Sequence, residues 1–157
     1  MSTILVNIKY LLAPVLILVT FAGILAGGIF SWLGVALLFV GIIIDTVLKR
    51  QASSTMHGED GNVLASPTFQ NFVMYTMLPV FVLLQLALAW RVYGFMSGMP
   101  VEVTSMWFGL IPVTSGITGL DLIGATLSAG IFAGIGIIYG HELSHTKGFA
   151  FLISRMT

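Results

Sequence analysis

From Tyr10 to Ile44 the chain runs 35 residues without one charged side chain. As a single helix this stretch would be about 52 Å long at 1.5 Å per residue, far beyond a hydrocarbon core of about 30 Å. It has to fold back on itself, and Gly27-Gly28 near its middle supplies the freedom for the turn. The sequence therefore predicts a tight helical hairpin with spans over about 8–26 and 29–48. Asp45, Lys49 and Arg50 mark where the second helix leaves the hydrocarbon. Although Lys9 precedes the run, its length and the lack of an Ala-x-Ala site after a short core make it a retained anchor rather than a signal peptide.

Composition agrees with lipid as the solvent. Charged residues make up 8% of the 157, against roughly 25% in soluble domains, and apolar residues make up 57%. Too few charges are present to wet an exterior. Six basic and six acidic residues cancel, which leaves no basic surface for nucleic acid. Cysteine is absent, and with it any disulfide framework, thiolate nucleophile or Cys-based metal site.

The polar stretch from Gln51 to Pro67 is an extramembrane connector, and it holds His57 beside Glu59 and Asp60. A solvated loop position is the simpler reading of that histidine. A third helix is predicted over about 68–91, kinked at Pro79 and ending on Trp90-Arg91, an aromatic and a cation suited to the headgroup region. Residues 103–120 combine Pro112 with Gly, Ser and Thr, which suits a short interfacial or partly inserted segment. Thr118 and Asp121 then form a capping-box pattern that opens a fourth helix over about 119–144. The expected fold is an all-α integral membrane bundle of about four transmembrane helices, one domain over 1–157. With four spans, Lys9, Lys49, Arg50, Lys147 and Arg155 share one side and Arg91 stands on the other, which predicts a cytoplasmic N-terminus and C-terminal end. Gly124, Ser128, Gly130, Gly134, Gly136 and Gly140 give the fourth helix overlapping small-xxx-small spacings for close packing.

That helix runs into His141-Glu142-Leu143-Ser144-His145, which holds two of the chain's three histidines. Residues four apart on a helix are offset by about 40° and about 6 Å, so both imidazoles can reach one metal or two adjacent ones. Glu142 falls on a neighbouring face, where it could ligate the metal, accept a hydrogen bond from a ligating histidine or act as an acid or base. Asp45 ends the second helix at the same membrane face and either pairs with Lys49 or stands near the metal. Ionisable groups at the end of a span in so apolar a chain mark a functional site. The spacing alone leaves zinc and iron open, because HExxH also serves zinc metalloproteases.

The Gly-Gly-Ile-Phe-Ser-Trp turn, the second helix ending in Ile-Ile-Ile-Asp-Thr, and the run Gly134-Ile-Gly-Ile-Ile-Tyr-Gly-His-Glu-Leu-Ser-His resemble the N-terminal part of membrane-bound alkane hydroxylases. They are equally similar to the hydroxylase component of xylene monooxygenase, in the same histidine-box superfamily as fatty acid desaturases. The likeness covers nearly the whole chain, and Gly-His-Glu-Leu-x-His is its one sharply specific motif. Thr146 stands where many alkane hydroxylases carry Lys or Arg. The resemblance implies a non-haem centre of two iron ions on the cytoplasmic side of a bacterial inner membrane. His141 and His145 would be first-box ligands, and Glu142 the acid within the box. It also implies O₂, electrons from a rubredoxin or ferredoxin-type reductase, and an apolar hydrocarbon substrate reached from the membrane lipid. Later histidine boxes are not in these 157 residues, so the sequence predicts an N-terminal fragment of a longer hydroxylase, inactive alone.

Terminal hydroxylation of medium-chain alkanes is the favoured reaction, with methyl hydroxylation of alkyl-aromatics as the alternative. Phe30 and Trp32 are candidate chain-length determinants, against packing or interfacial anchoring as the simpler role for such aromatics. An intramembrane zinc metalloprotease, with Glu142 activating the zinc-bound water, is a further alternative. A small non-catalytic membrane subunit is another.

Overall fold

The computed structural model describes residues 10–48 and 67–144. Its first helix, α1, covers Leu12–Ala26, and its apolar sequence has no acidic or basic residue in either end turn. It stops where Gly27 adopts φ 75° and donates its N–H to the Gly23 carbonyl at 3.1 Å. Gly28 follows at φ 55°, so the fold-back is built from two left-handed residues, a conformation that favours glycine. A 3₁₀ turn over Gly28–Trp32 leads into α2, Leu33–Leu48. The predicted hairpin is therefore present, with a tight helical turn inserted between its arms.

The helix α3 spans Pro67–Met96, beginning on a proline whose missing N–H would have been unpaired there in any case. Pro79 lies within it without ending it, and the helix continues five residues past Arg91. Two short strands follow, β1 over Val103–Trp107 and β2 over Ile111–Thr114, paired antiparallel. Their connection places Phe108 at φ 52° and Gly109 at φ 69°, with the Leu110 N–H donated to the Trp107 carbonyl at 3.0 Å. The connection is three residues long, Phe108 to Leu110, and the pairing closes on Trp107 and Ile111. This small sheet is a minor element in a fold that is otherwise helical, as expected. Val103, Thr104, Trp107, Ile111, Val113 and Thr114 are β-branched or aromatic, and Phe-Gly between them was the available signal.

The last helix, α4, covers Gly119–Ser144. Its cap is the predicted one: the Thr118 hydroxyl donates to Asp121 Oδ2 at 2.6 Å and accepts the Asp121 N–H at 3.2 Å. Three segments, Gly28–Val47, Thr68–Met96 and Gly119–His141, are long and apolar enough to cross a membrane, and α1 is a shorter apolar helix. The core lies between α1, α3 and α4, around Ile17, Ile24, Met77, Leu84, Ala125 and Phe132. In contrast, α2 is peripheral, with Phe39, Val40, Ile42, Ile43 and Ile44 all half exposed or more. A helix with such sides belongs against lipid.

Gly34 lets α2 approach α4, since a Cβ there would stand 2.6 Å from that of Ser128. The Ser128 hydroxyl donates to the Ser31 carbonyl at 2.8 Å and accepts the Val35 N–H at 3.3 Å. One side chain of α4 thus satisfies a first-turn amide of α2 that has no partner within its own helix.

Arg91 is not the exposed headgroup cation that its position near a helix end suggested. It is fully buried, while Trp90 beside it stays 44% exposed, as an interfacial aromatic would. The guanidinium donates to the carbonyls of Ile24 at 2.6 Å, Leu25, Thr114 at 2.7 Å and Gly116 at 3.3 Å. Two of these end α1, where helix carbonyls lack donors and the helix dipole is negative. A five-donor fork in low dielectric is suited to that set. Asp121 adds Coulombic attraction from the first turn of α4. Arg91 therefore ties α1, α3 and the hairpin together at one end of the bundle.

At the opposite end, Gln70 of α3 donates to the Tyr10 hydroxyl at 3.1 Å. Because α4 starts beside the Arg91 end and runs back, its C-terminal turn shares the Tyr10–Gln70 end. Lys9, Lys49, Arg50, Lys147 and Arg155, whose shared side predicts the orientation, lie outside the described residues, as do His57 and the connector around it.

Candidate metal centre

The His-Glu-Leu-Ser stretch begins in the last turn of α4, so the helix does carry directly into the box. His141 is exposed, on the same stripe as the exposed Ile137 and Ile138. Glu142 is helical in its main chain. His145 lies outside the described residues, and so does the geometry of the pair. Among the described residues no three His, Cys, Asp or Glu side chains gather into a metal-sized cluster.

Asp45 ends α2 on the same side of the bundle. It borders a cleft of about 330 Å³ between α1, α2 and α4, whose other walls include Leu16, Leu38, Phe132 and Ile135. Ile135 is six residues before His141, a rise of about 9 Å. This cleft is apolar apart from its one carboxylate.

Phe30 and Trp32 stand elsewhere. Both belong to the 3₁₀ turn at the Arg91 end rather than to a helix. Trp32 packs on Gly124, where a Cβ would come within 2.6 Å of the indole. Gly124 precedes His141 by seventeen residues, about 25 Å along α4. Phe30 lines a separate cleft of about 240 Å³ with Leu110, Ile111 and Pro112. The structure brings Asp45 to the box end and leaves these two aromatics at the far one.

The small residues of α4 divide by face. Gly124 and Ser128 meet the 3₁₀ turn and α2, and Gly136 meets the Phe81 ring of α3, with a Cβ position 3.1 Å from it. Gly130 and Gly134 have open space where a Cβ would be. Two residues on a helix differ by about 200°, which puts 130 and 134 opposite 128.

Compared with known proteins, the chain matches no family model, no curated protein and no solved structure.

Proposed function

We propose that this chain contributes the first histidine box of an integral membrane hydroxylase acting on apolar hydrocarbons, with medium-chain alkanes as the favoured substrate. The observation that carries the reading is the placement of HELSH: a metal-ligand pattern that begins on the final turn of a helix with a 23-residue apolar span. Two further features support it. Asp45 stands at the same end, and it borders an apolar cleft between α1, α2 and α4.

The donor set does not by itself fit two irons. His141 is the one imidazole among the described residues, and His145 adds a second, where a di-iron centre needs more imidazole or carboxylate ligands. On this proposal further segments would bring those ligands. What this chain's own residues do is narrower. His141 presents an imidazole at the membrane face, α4 holds it in register with the bundle, and the apolar walls exclude water from the approach.

The test is metal analysis of the protein purified from membranes with any further segments it carries. Iron that is lost in His141→Ala, with membrane insertion retained, is the expected result. Zinc in place of iron would instead support the metalloprotease reading. Metal content unchanged by His141→Ala would end the proposal.

A further inference from the structure

The β1–β2 hairpin joins the ends of two spans, Thr68–Met96 and Gly119–His141, and its direction is set by what it touches. At its base, the Thr114 hydroxyl donates to the Ala26 carbonyl at 3.3 Å, in the last turn of α1. Toward its tip, the Trp107 and Phe21 rings meet with centroids 6.0 Å apart, and Leu110 and Ile111 share a cleft with Val19 and Gly23. Phe21 precedes Ala26 by five residues, about 7.5 Å along α1, and Thr114 to Ile111 is about 10 Å of strand. The ribbon therefore runs back along α1, with its tip toward the middle of the bundle.

The side chains of α3 mark the level of the bilayer surface. Trp90 and Tyr93 are 44% and 58% exposed, amphipathic aromatics of the kind that collect at the membrane–water boundary. Arg91 between them donates to the carbonyls of Ile24 and Thr114, so the base of the hairpin stands at that boundary. Phe21 is three residues below Ile24, which puts the Trp107 end roughly 5 Å beneath it.

Polarity changes along the ribbon in the same direction. Glu102, Thr104 and Ser115 lie at its base, whereas Met106, Phe108 and Leu110 lie at its tip. Phe108 and Leu110 are 89% and 81% exposed, and no charged side chain occurs between Glu102 and Asp121. A lipid leaflet has this same gradient, polar at its headgroups and apolar a few ångströms beneath. The two outer strand edges limit the depth, because open edges are not tolerated in the hydrocarbon core. Only the tip can pass the headgroups.

We propose that this hairpin re-enters the leaflet at the Arg91 end, seating Phe108 and Leu110 among the outermost acyl carbons of the phospholipids and its base among the headgroups. The sequence places the segment near the interface without a direction, and the Phe21–Trp107 contact supplies one. The inference rests on the membrane spans and is independent of the histidine box. Asparagine at 108 eases the left-handed turn but gives up apolar contact with lipid, so turn stability and insertion depth change in opposite senses.

The chain has no cysteine, so Phe108→Cys and Leu110→Cys each carry a unique nitroxide label, at side chains whose loss leaves the core packed. Accessibility to oxygen and to a water-soluble nickel chelate is read by electron paramagnetic resonance in phosphatidylcholine nanodiscs. Ser97→Cys, just past the end of α3, is the aqueous reference, and Leu86→Cys, an exposed mid-span position, is the deep one. Labels at 108 and 110 should admit oxygen, exclude the chelate and lie about 5–10 Å below the phosphates. Chelate access equal to that at Ser97 would overturn the proposal by placing the tip in water. Exclusion of both reagents would overturn it by showing that protein covers the tip. A depth equal to that at Leu86 would overturn it as well, since the strand edges would then stand in hydrocarbon.

Discussion

Replacing Arg91 with methionine removes a guanidinium that donates to four main-chain carbonyls, those of Ile24, Leu25, Thr114 and Gly116. Hydrogen bonds from a charged donor contribute about 1.5–3 kcal/mol each, so the gross loss is about 6–12 kcal/mol. Against this, methionine no longer requires a cation to be stripped of water, a penalty of several kcal/mol per buried ion. The shape of the side chain is largely kept, so little cavity term is added. We expect a net destabilisation of about 2–5 kcal/mol, read as a fall in apparent Tm of roughly 5–15 °C. Arg91→Lys keeps the charge but has three compact donors in place of a planar fork, and should fall between the two. The assay is the monodisperse fraction surviving a heating series in detergent, followed by fluorescence-detected size exclusion. If Arg91→Met survives heating as well as the parent, desolvation outweighs the bonds, and the clamp is not what holds this end of the bundle.

Other substitutions separate causes that look alike in sequence. Gly34→Ala drives a Cβ to within 2.6 Å of the Ser128 Cβ and 2.9 Å of its Cα, and should destabilise by about 1–3 kcal/mol. Gly130→Ala meets open space and should be neutral or stabilising by up to about 1 kcal/mol, and the same heating series ranks the two. Thr118→Ala removes the cap of α4 and should cost about 1 kcal/mol, with increased amide exchange confined to the first turn. Phe108→Asn relieves a bulky residue held at φ 52° and should stabilise the hairpin by about 1 kcal/mol, seen as slower exchange of the Leu110 amide.

Much of the helical plan was legible because its signals are local. An uncharged run too long for one span, a Gly-Gly at its middle and a Thr-x-x-Asp before an apolar stretch each act within a few residues. The small-residue stripe of α4 was legible as a stripe but not by face. Gly124, Ser128, Gly130 and Gly134 share one spacing, and only the arrival of Trp32 and Gly34 decides which pair is closed. Arg91 was misread for the same reason. Its partners lie 67 and 23 residues away in sequence, so nothing nearby distinguishes a buried clamp from a headgroup anchor. The hairpin was missed because strands of five and four residues, one holding Pro112, resemble a broken interfacial segment. For the candidate site, spacing located His141 at the end of a span. Which cleft serves it depends on how helices pack, and that packing sets Trp32 against Gly124, about 25 Å along α4 from His141.

The Ser128 hydroxyl that meets the Val35 amide has a consequence for how the chain is made. During synthesis α2 emerges long before residue 128, and so does the α1 end whose carbonyls await Arg91. Until those residues are made, the hairpin of α1 and α2 carries unpaired main-chain groups at its turn. These groups are satisfied only when the third and fourth helices arrive. The hydrogen bonding of that turn is therefore completed by side chains 67 and 93 residues further along the chain.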